Sequence, residues 1–161
     1  MKIKSVFLLS ILLVLFTSCQ KKNQADSASL EAIEEMDRLY ESFTNVKQED
    51  GSILDYDLTK MNANMVYAQI FELMLNPEEY KDKVFKINGT FMISPDQEGK
   101  DAYAVLIKDA LACCQQGLEF KYDFGQDVPL VGTEMTITGK YVLTEKDGIS
   151  HNYLVANKIE F

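Results

Sequence analysis

The chain has 161 residues, a length that suits one domain with short accessory segments. It carries 25 acidic residues against 16 basic ones, a net charge of −9, and Arg38 is its one arginine. Because phosphate backbones are bound by clusters of Lys and Arg, and bases are read mainly by Arg, this composition excludes an ordinary nucleic-acid binder.

Residues 1–18 have the pattern of a secretory signal peptide. Lys2 and Lys4 give a positive start, and residues 6–16 form an apolar run broken only by Ser10. The run is shorter than the about 20 apolar residues of a membrane-spanning helix, so we expect a signal that is removed. Without Lys2 and Lys4, 14 basic residues face 25 acidic ones, a net charge near −11 that favours solubility outside the cytoplasm.

The segment at the expected cleavage site, Phe16-Thr17-Ser18-Cys19, resembles the lipobox of bacterial lipoproteins. In that family the cysteine thiol is lipidated, the signal peptide is removed and the new amino terminus is acylated. The residue three before the cysteine is usually Leu, and here it is Phe16. The resemblance implies that Cys19 carries lipid, including palmitate, and anchors the protein to the inner or outer membrane of a bacterial cell envelope, at the periplasm. The alternative is an ordinary signal peptide with an accidental cysteine.

A polar tether and an amphipathic helix are predicted next. Residues 19–26 lack an apolar pattern, which predicts a flexible, lipid-anchored tether. Residues 27–60 predict a helix, capped by Ser27 or Ser29, and then a loop over residues 44–60. Such a helix packs on its own domain or, alternatively, binds a partner. One half of its helical wheel holds the apolar residues Leu30, Ile33, Met36, Leu39, Tyr40 and Phe43.

Residues 61–161 predict a β domain with a leading helix. Asn62 is a suitable cap for that helix and Asn76-Pro77 a stop, and its apolar residues surround most of the circumference, so we expect it to be largely buried. After Lys83 the apolar period changes to two, which predicts five strands with short connections and therefore an antiparallel sheet. The predicted strands are residues 84–93, 103–107, 118–122, 135–143 and 153–161.

Two glycines indicate how these strands curve. Gly89 and Gly139 lie at inward positions of the first and fourth strands, where glycine marks a bend or bulge. Five bent strands close into a small barrel. The apolar-x-apolar-x-Gly spacing of residues 85–89 and 135–139 resembles the OB-fold, without its usual helix between the third and fourth strands. The predicted fold is mainly β with N-terminal helices, a five-stranded antiparallel OB-like barrel whose end the second helix closes. A small β-sandwich is the alternative.

A wider resemblance covers roughly residue 61 to the C-terminus. The lipobox, the segment Asn76-Pro77-Glu78-Glu79-Tyr80 and the segment Cys113-Cys114-Gln115-Gln116-Gly117-Leu118-Glu119-Phe120 together resemble a set of small bacterial lipoproteins. The resemblance is most specific at Cys-Cys-Gln-Gln-Gly. It implies an OB-like fold and no known activity, so it assigns no catalytic residues.

Three roles are open for Cys113 and Cys114. In a strand, neighbouring side chains point to opposite faces, so a packing role would bury one thiol and expose the other. An exported location also permits a strained, easily reduced disulfide between them. Finally, two thiolates attract zinc or copper(I), provided that further ligands are near. The further ligands that the sequence offers are His151, which is the single histidine, Met92, Met135 and Glu119.

The sequence contains no recognisable catalytic constellation. It has no evident Ser-His-Asp or Cys-His pair, phosphate-binding glycine loop or metalloprotease motif. We therefore predict that the protein is not an enzyme and has no cofactor, but is a lipid-anchored binding module for an envelope protein or small ligand, because barrels of this kind bind extended ligands in a groove. The alternative is a thiol-based metal-binding or redox protein that uses Cys113 and Cys114.

Overall fold

The computed structural model describes residues 20–95, 99–146 and 148–161, and the side chains of its first helix from Ser29 onwards. The predicted signal peptide and the predicted lipid-bearing Cys19 lie outside the described residues. The chain divides into two compact units, Met1–Ser42 and Phe43–Phe161. No helix in the described part is both long and apolar enough to cross a membrane.

Helix α1, Gln20–Glu41, belongs to the first unit. It begins before the caps expected at Ser27 and Ser29, so residues 20–26, which we predicted as a tether, are helical. The reason lies in their composition, because Gln, Lys and Ala are good helix formers and neither Gly nor Pro interrupts them.

The predicted α1 sequence extends two residues too far, because the helix ends at Glu41. The next residue, Ser42, donates its hydroxyl to the carbonyl of Leu39 at 2.6 Å. Phe43 is not on the helix, because it is a buried residue of the second unit. That α1 packs on its own domain stays a prediction. Its exposed apolar side chains are Leu30, Ile33, Met36, Leu39 and Tyr40.

The second unit opens with a β-hairpin where we expected a loop. Strands β1, Thr44–Lys47, and β2, Ile53–Asp57, pair in antiparallel fashion. In the turn, the carboxylate of Asp50 accepts from the backbone N–H of Ser52 at 2.8 Å, and Gly51 has a positive φ of 84°. The loop prediction was wrong because strands of four and five residues are too short to display an alternating pattern.

Helix α2, Ala63–Leu75, begins at the predicted cap, because the side-chain oxygen of Asn62 accepts from the N–H of Met65 at 3.1 Å. The prediction that it is buried around most of its circumference is wrong. Four residues form the buried stripe, and three large apolar residues on the other side are exposed. The buried residues are Val66, Gln69, Ile70 and Leu73, and the exposed ones are Phe71, Met74 and Leu75.

A one-turn helix follows that the sequence did not indicate. Helix α3, Pro77–Tyr80, begins at the proline of the predicted stop, because the missing N–H of proline is tolerated in the first turn of a helix. The buried amide nitrogen of Gln69 on α2 donates to the hydroxyl of Tyr80 at 3.1 Å. This bond connects α3 to α2 and satisfies a polar side chain inside the core.

The five predicted strands are all present and close into a barrel. Each pairs with two neighbours in the order β3-β4-β5-β7-β6, and β6 returns to pair with β3. That closing pair excludes a β-sandwich and confirms the OB-like barrel, which β2 extends by pairing in parallel with β3. The strands are β3 Val84–Pro95, β4 Asp101–Lys108, β5 Gln115–Lys121, β6 Glu134–Lys146 and β7 Ile149–Glu160.

The prediction of a wholly antiparallel barrel needs one correction. Strands β5 and β7 run parallel, with Phe120 opposite Leu154 and Lys121 opposite Val155. Strand direction cannot alternate around a closed ring that has an odd number of members, so at least one of the five pairs must be parallel. The segment between β5 and β6 contains no helix in the structure, as predicted.

The core of the barrel continues into α2. Phe85, Phe91 and Tyr141 are among its largest fully buried side chains, and the buried apolar stripe of α2 belongs to the same cluster. The hydroxyl of Tyr141 donates to the backbone carbonyl of Leu73 at 3.3 Å. These contacts confirm that the second helix packs into the barrel core.

Candidate functional site

Cys113 and Cys114 lie in the loop between β4 and β5, residues 109–114, and both are exposed. The prediction that a packing role would bury one of them is wrong. It assumed a strand, whereas the backbone turns here and Ala112 has a positive φ of 53°. Because both thiols are exposed, the packing role is not supported, and metal binding and redox chemistry stay as the two hypotheses for this pair.

Asp109 organises this cysteine loop. Its Oδ1 atom accepts from the backbone N–H of Cys113 at 3.0 Å and from that of Cys114 at 3.3 Å. Its own N–H donates to the carbonyl of Cys114, and its carbonyl accepts from Ala112. Asn64 on α2 holds the loop from outside, because its Oδ1 accepts from the N–H of Ala110 at 3.1 Å.

The second oxygen of the Asp109 carboxylate faces the thiols. The thiol of Cys113 donates to Oδ2 at 3.2 Å, and the two sulfurs are 3.9 Å apart. This hydrogen bond holds the pKa of Asp109 below its ordinary value. The same bond, followed by the contact with Cys114, raises the pKa of Cys113 to about 11. Cys113 is therefore a protonated thiol at neutral pH and a poor nucleophile.

Within the described residues, one group of His, Cys, Asp and Glu side chains brings three donor atoms together. Asp109, Cys113 and Cys114 each offer an atom within 4.8 Å of the others. Asp109 was not among the predicted ligands. The available signal was an acidic residue directly after a strand and four positions before the first cysteine, a common place for a carboxylate that bonds turn N–H groups.

The other predicted ligands lie elsewhere. His151 is on β7 opposite Thr144 of β6 and is not part of the group around the thiols. Met135 is 1% exposed in the barrel core. Met92 and Glu119 lie on β3 and β5, where both line a groove rather than the cysteine loop.

This groove, which we call the β4–β5 groove, has a volume of about 390 Å³ on the outward side of β3, β4 and β5. Its residues are register neighbours, because Ala104 of β4 lies between Met92 of β3 and Glu119 of β5. Small residues form its floor, which leaves the strand backbone open to a ligand. The residues that matter here are Met92, Ser94, Ala102, Ala104, Gly117 and Glu119.

A second cleft, of about 440 Å³, lies beside Gly89 between the outward side of β3 and β6 and the start of α2. Four of its polar side chains bond one another in pairs: Asn88 donates to Thr136 at 3.2 Å, and Thr90 donates to Glu134 at 2.7 Å. Polar side chains that already have hydrogen-bond partners are less available to a ligand than the open floor of the β4–β5 groove. That groove is therefore the better candidate for a binding site.

Comparison of the sequence with known protein families finds no match. Comparison with curated proteins finds none either.

Proposed function

We propose that the protein is a lipid-anchored cell-envelope protein whose barrel is a non-catalytic binding module. The β4–β5 groove is the observation that carries this proposal. It lies on the second and third strands of an OB-like barrel, the face with which such barrels bind oligonucleotides and oligosaccharides. The resemblance of Phe16-Thr17-Ser18-Cys19 to a lipobox supports the proposed envelope location.

The side chains that line the groove indicate which class of ligand it can bind. Ala102, Ala104 and Gly117 allow close approach to the backbone, and Met92 supplies a flexible apolar wall that adapts to a partner's shape. Glu119 is the charged member of the groove among the residues that the structure describes. With the acidic balance of the whole chain, this favours an extended neutral or positively charged segment of an envelope protein, or a small ligand of that kind, over nucleic acid.

Site-specific photo-crosslinking in envelope membranes tests the groove. We expect a photoreactive residue at Ser94, on the rim, to give an adduct of defined mass, whereas one at Lys158, on β7, gives none. Adding A104W on the floor should abolish the Ser94 adduct, because the indole fills the space that the ligand occupies. K140W, on β6 outside the groove, is the matched control and should leave the adduct unchanged.

The result that would overturn the proposal is equally specific. Equal adducts from Ser94 and Lys158, or a Ser94 adduct that persists in A104W, would show that the groove does not bind the crosslinked molecule. Thermal unfolding of A104W and K140W is followed in parallel, so that loss of the adduct in a folded A104W protein is separated from loss of the barrel.

A further inference from the structure

We propose that Asp109, Cys113 and Cys114 form a zinc-binding site on the loop between β4 and β5, independent of the β4–β5 groove. The two sulfurs already have the spacing of ligands to one metal. Zinc bonds sulfur at about 2.3 Å, and a tetrahedral angle between two such bonds separates the sulfurs by about 3.8 Å. The observed distance between the Cys113 and Cys114 sulfurs is 3.9 Å.

The third donor atom is Oδ2 of Asp109, which is oriented by the hydrogen bonds of the other oxygen of the same carboxylate. Oδ1 of Asp109 accepts from two backbone N–H groups, so the carboxylate is oriented and Oδ2 is left toward the thiols. Oδ2 is 3.2 Å from the sulfur of Cys113. A zinc–oxygen bond of about 2.0 Å beside a zinc–sulfur bond requires roughly 3.5 Å in tetrahedral geometry. A shift of a few tenths of an ångström in an exposed loop meets this requirement.

The loop carries outer contacts of the kind that orient metal ligands. The N–H of Asp109 bonds the carbonyl of Cys114, which closes the ring of residues that holds the donors. Asn64 on α2 fixes the N–H of Ala110 at 3.1 Å. Hydrogen-bonded outer partners of this type reduce the reorganisation that a ligand must undergo when metal binds.

The donor set selects the metal. Two thiolates and one carboxylate suit zinc, which accepts sulfur and oxygen together, whereas copper(I) prefers an all-sulfur set and calcium or magnesium an all-oxygen set. Both cysteines are exposed, so the fourth position is open to water or to a group of a bound molecule. When the ion binds, two sulfur–zinc bonds replace two S–H bonds and two protons leave to solvent.

Cobalt(II) is the probe that tests this site, because tetrahedral cobalt with thiolate ligands absorbs visible and near-ultraviolet light and zinc displaces it silently. The full chain carries C19S, is kept reduced and is held in detergent, so that Cys113 and Cys114 are its remaining thiols. We expect one cobalt ion per chain with sulfur-to-cobalt charge transfer, lost on addition of one equivalent of zinc.

The variants distinguish a site that uses Asp109 from one that uses His151, the further ligand that the sequence suggested. C113S and C114S should each remove most of the charge-transfer band, and D109N should weaken zinc binding at least about tenfold, on the scale at which conserved metal-site partners act. H151A is the matched control and should bind as the parent does. Circular dichroism and thermal unfolding check that each variant keeps the barrel.

Three results would overturn the proposal. One is the absence of cobalt and zinc binding by the reduced parent, whether or not its cysteines form a disulfide in air. Another is binding that D109N leaves unchanged and H151A weakens. The third is binding of copper(I) without zinc or cobalt. None of these results affects the groove proposal, which rests on different residues.

Discussion

The two oxygens of the Asp109 carboxylate have different partners, and this division gives the cysteine loop its chemistry. Oδ1 holds the backbone of the loop, while Oδ2 accepts from the thiol of Cys113. A nucleophilic cysteine needs positive surroundings that favour its thiolate. Cys113 has the opposite environment, so its thiol is a poor nucleophile at neutral pH.

The reactivity of Cys113 should show this environment directly. Its pKa is raised to about 11, first by the hydrogen bond to Asp109, so at pH 8 its thiolate is scarce. D109N removes the carboxylate, lowers the pKa towards its ordinary value and should speed alkylation of Cys113 at pH 8 by at least about tenfold. The rate is measured by mass spectrometry in the metal-free full chain carrying C19S and C114S.

The dependence of the alkylation rate on pH tests the direction of the pKa shift of Cys113. In the parent, alkylation should accelerate as the pH rises towards 11, and in D109N the same rise should begin at lower pH. D101N, which removes an exposed carboxylate on β4, is the matched control and should follow the parent profile. Coincident profiles for the parent and D109N would mean that the carboxylate does not control this thiol.

Asp109 is also the residue of the candidate site that was not predicted from the sequence. Cys113 and Cys114 were identifiable from the sequence, but the packing role considered for them assumed that they lie in a strand. The carboxylate and the thiols meet because the chain reverses, with Ala112 at a positive φ of 53°. A non-glycine residue rarely adopts that conformation, so Ala112 itself did not predict the reversal, and the one available signal was the position of Asp109 directly after a strand.

At the scale of elements, the long strands were predictable and the short ones were not. Strands β3 to β7 alternate over enough residues for their period to be visible, and the cap at Asn62 located α2. The β1–β2 hairpin has too few residues for a period, and α3 has one turn. Which strands pair in parallel depends on closure of the whole ring and on no single strand.

Gly139 gives the clearest test of how a strand element is built. The register between β6 and β7 shifts between Thr138 and Gly139, which is the bulge that the glycine predicted. A Cβ at Gly139 would lie 2.7 Å from the carbonyl oxygen of Val155 and 2.9 Å from the Cα of Ala156. Backbone cannot yield as a flexible side chain does, so G139A should lower the free energy of unfolding by about 1–3 kcal/mol.

Gly117 of β5 is the matched control, because a Cβ there meets only the Cβ of Ala104 at an ordinary 3.9 Å. G117A should leave the free energy of unfolding unchanged or slightly raised, since alanine loses less conformational freedom than glycine on folding. Both values come from denaturant unfolding. Equal stabilities for G139A and G117A would show that the close approach of β7 does not require glycine.

At the scale of the whole molecule, the two candidate sites share one pair of strands. Ala104 and Glu119 lie opposite each other in the groove, and the pair Lys108–Gln115 is the last before the cysteine loop. Four residues of strand separate these pairs, about 13 Å at the rise of an extended chain. Gly117, which also lines the groove, is only two residues from Gln115, so an extended ligand can reach both sites.

The proposed attachment to the membrane also belongs to the scale of the whole molecule, and the net charge of the protein bears on how it would occur. A net charge near −11 without Lys2 and Lys4 repels anionic lipid, so electrostatic attraction cannot hold the protein there. Covalent lipid can, because several acyl chains bind firmly where one binds marginally. We therefore expect the protein to incorporate labelled palmitate in a bacterial host and to stay with the membranes in a high-salt wash.

Serine substitutions identify the residue that carries the lipid. C19S should incorporate no label, because its hydroxyl cannot form the thioether on which lipidation begins, whereas the matched double variant C113S/C114S should be labelled as the parent is. Label in C19S, loss of label in the double variant, or release of the parent by salt would each contradict anchoring through Cys19.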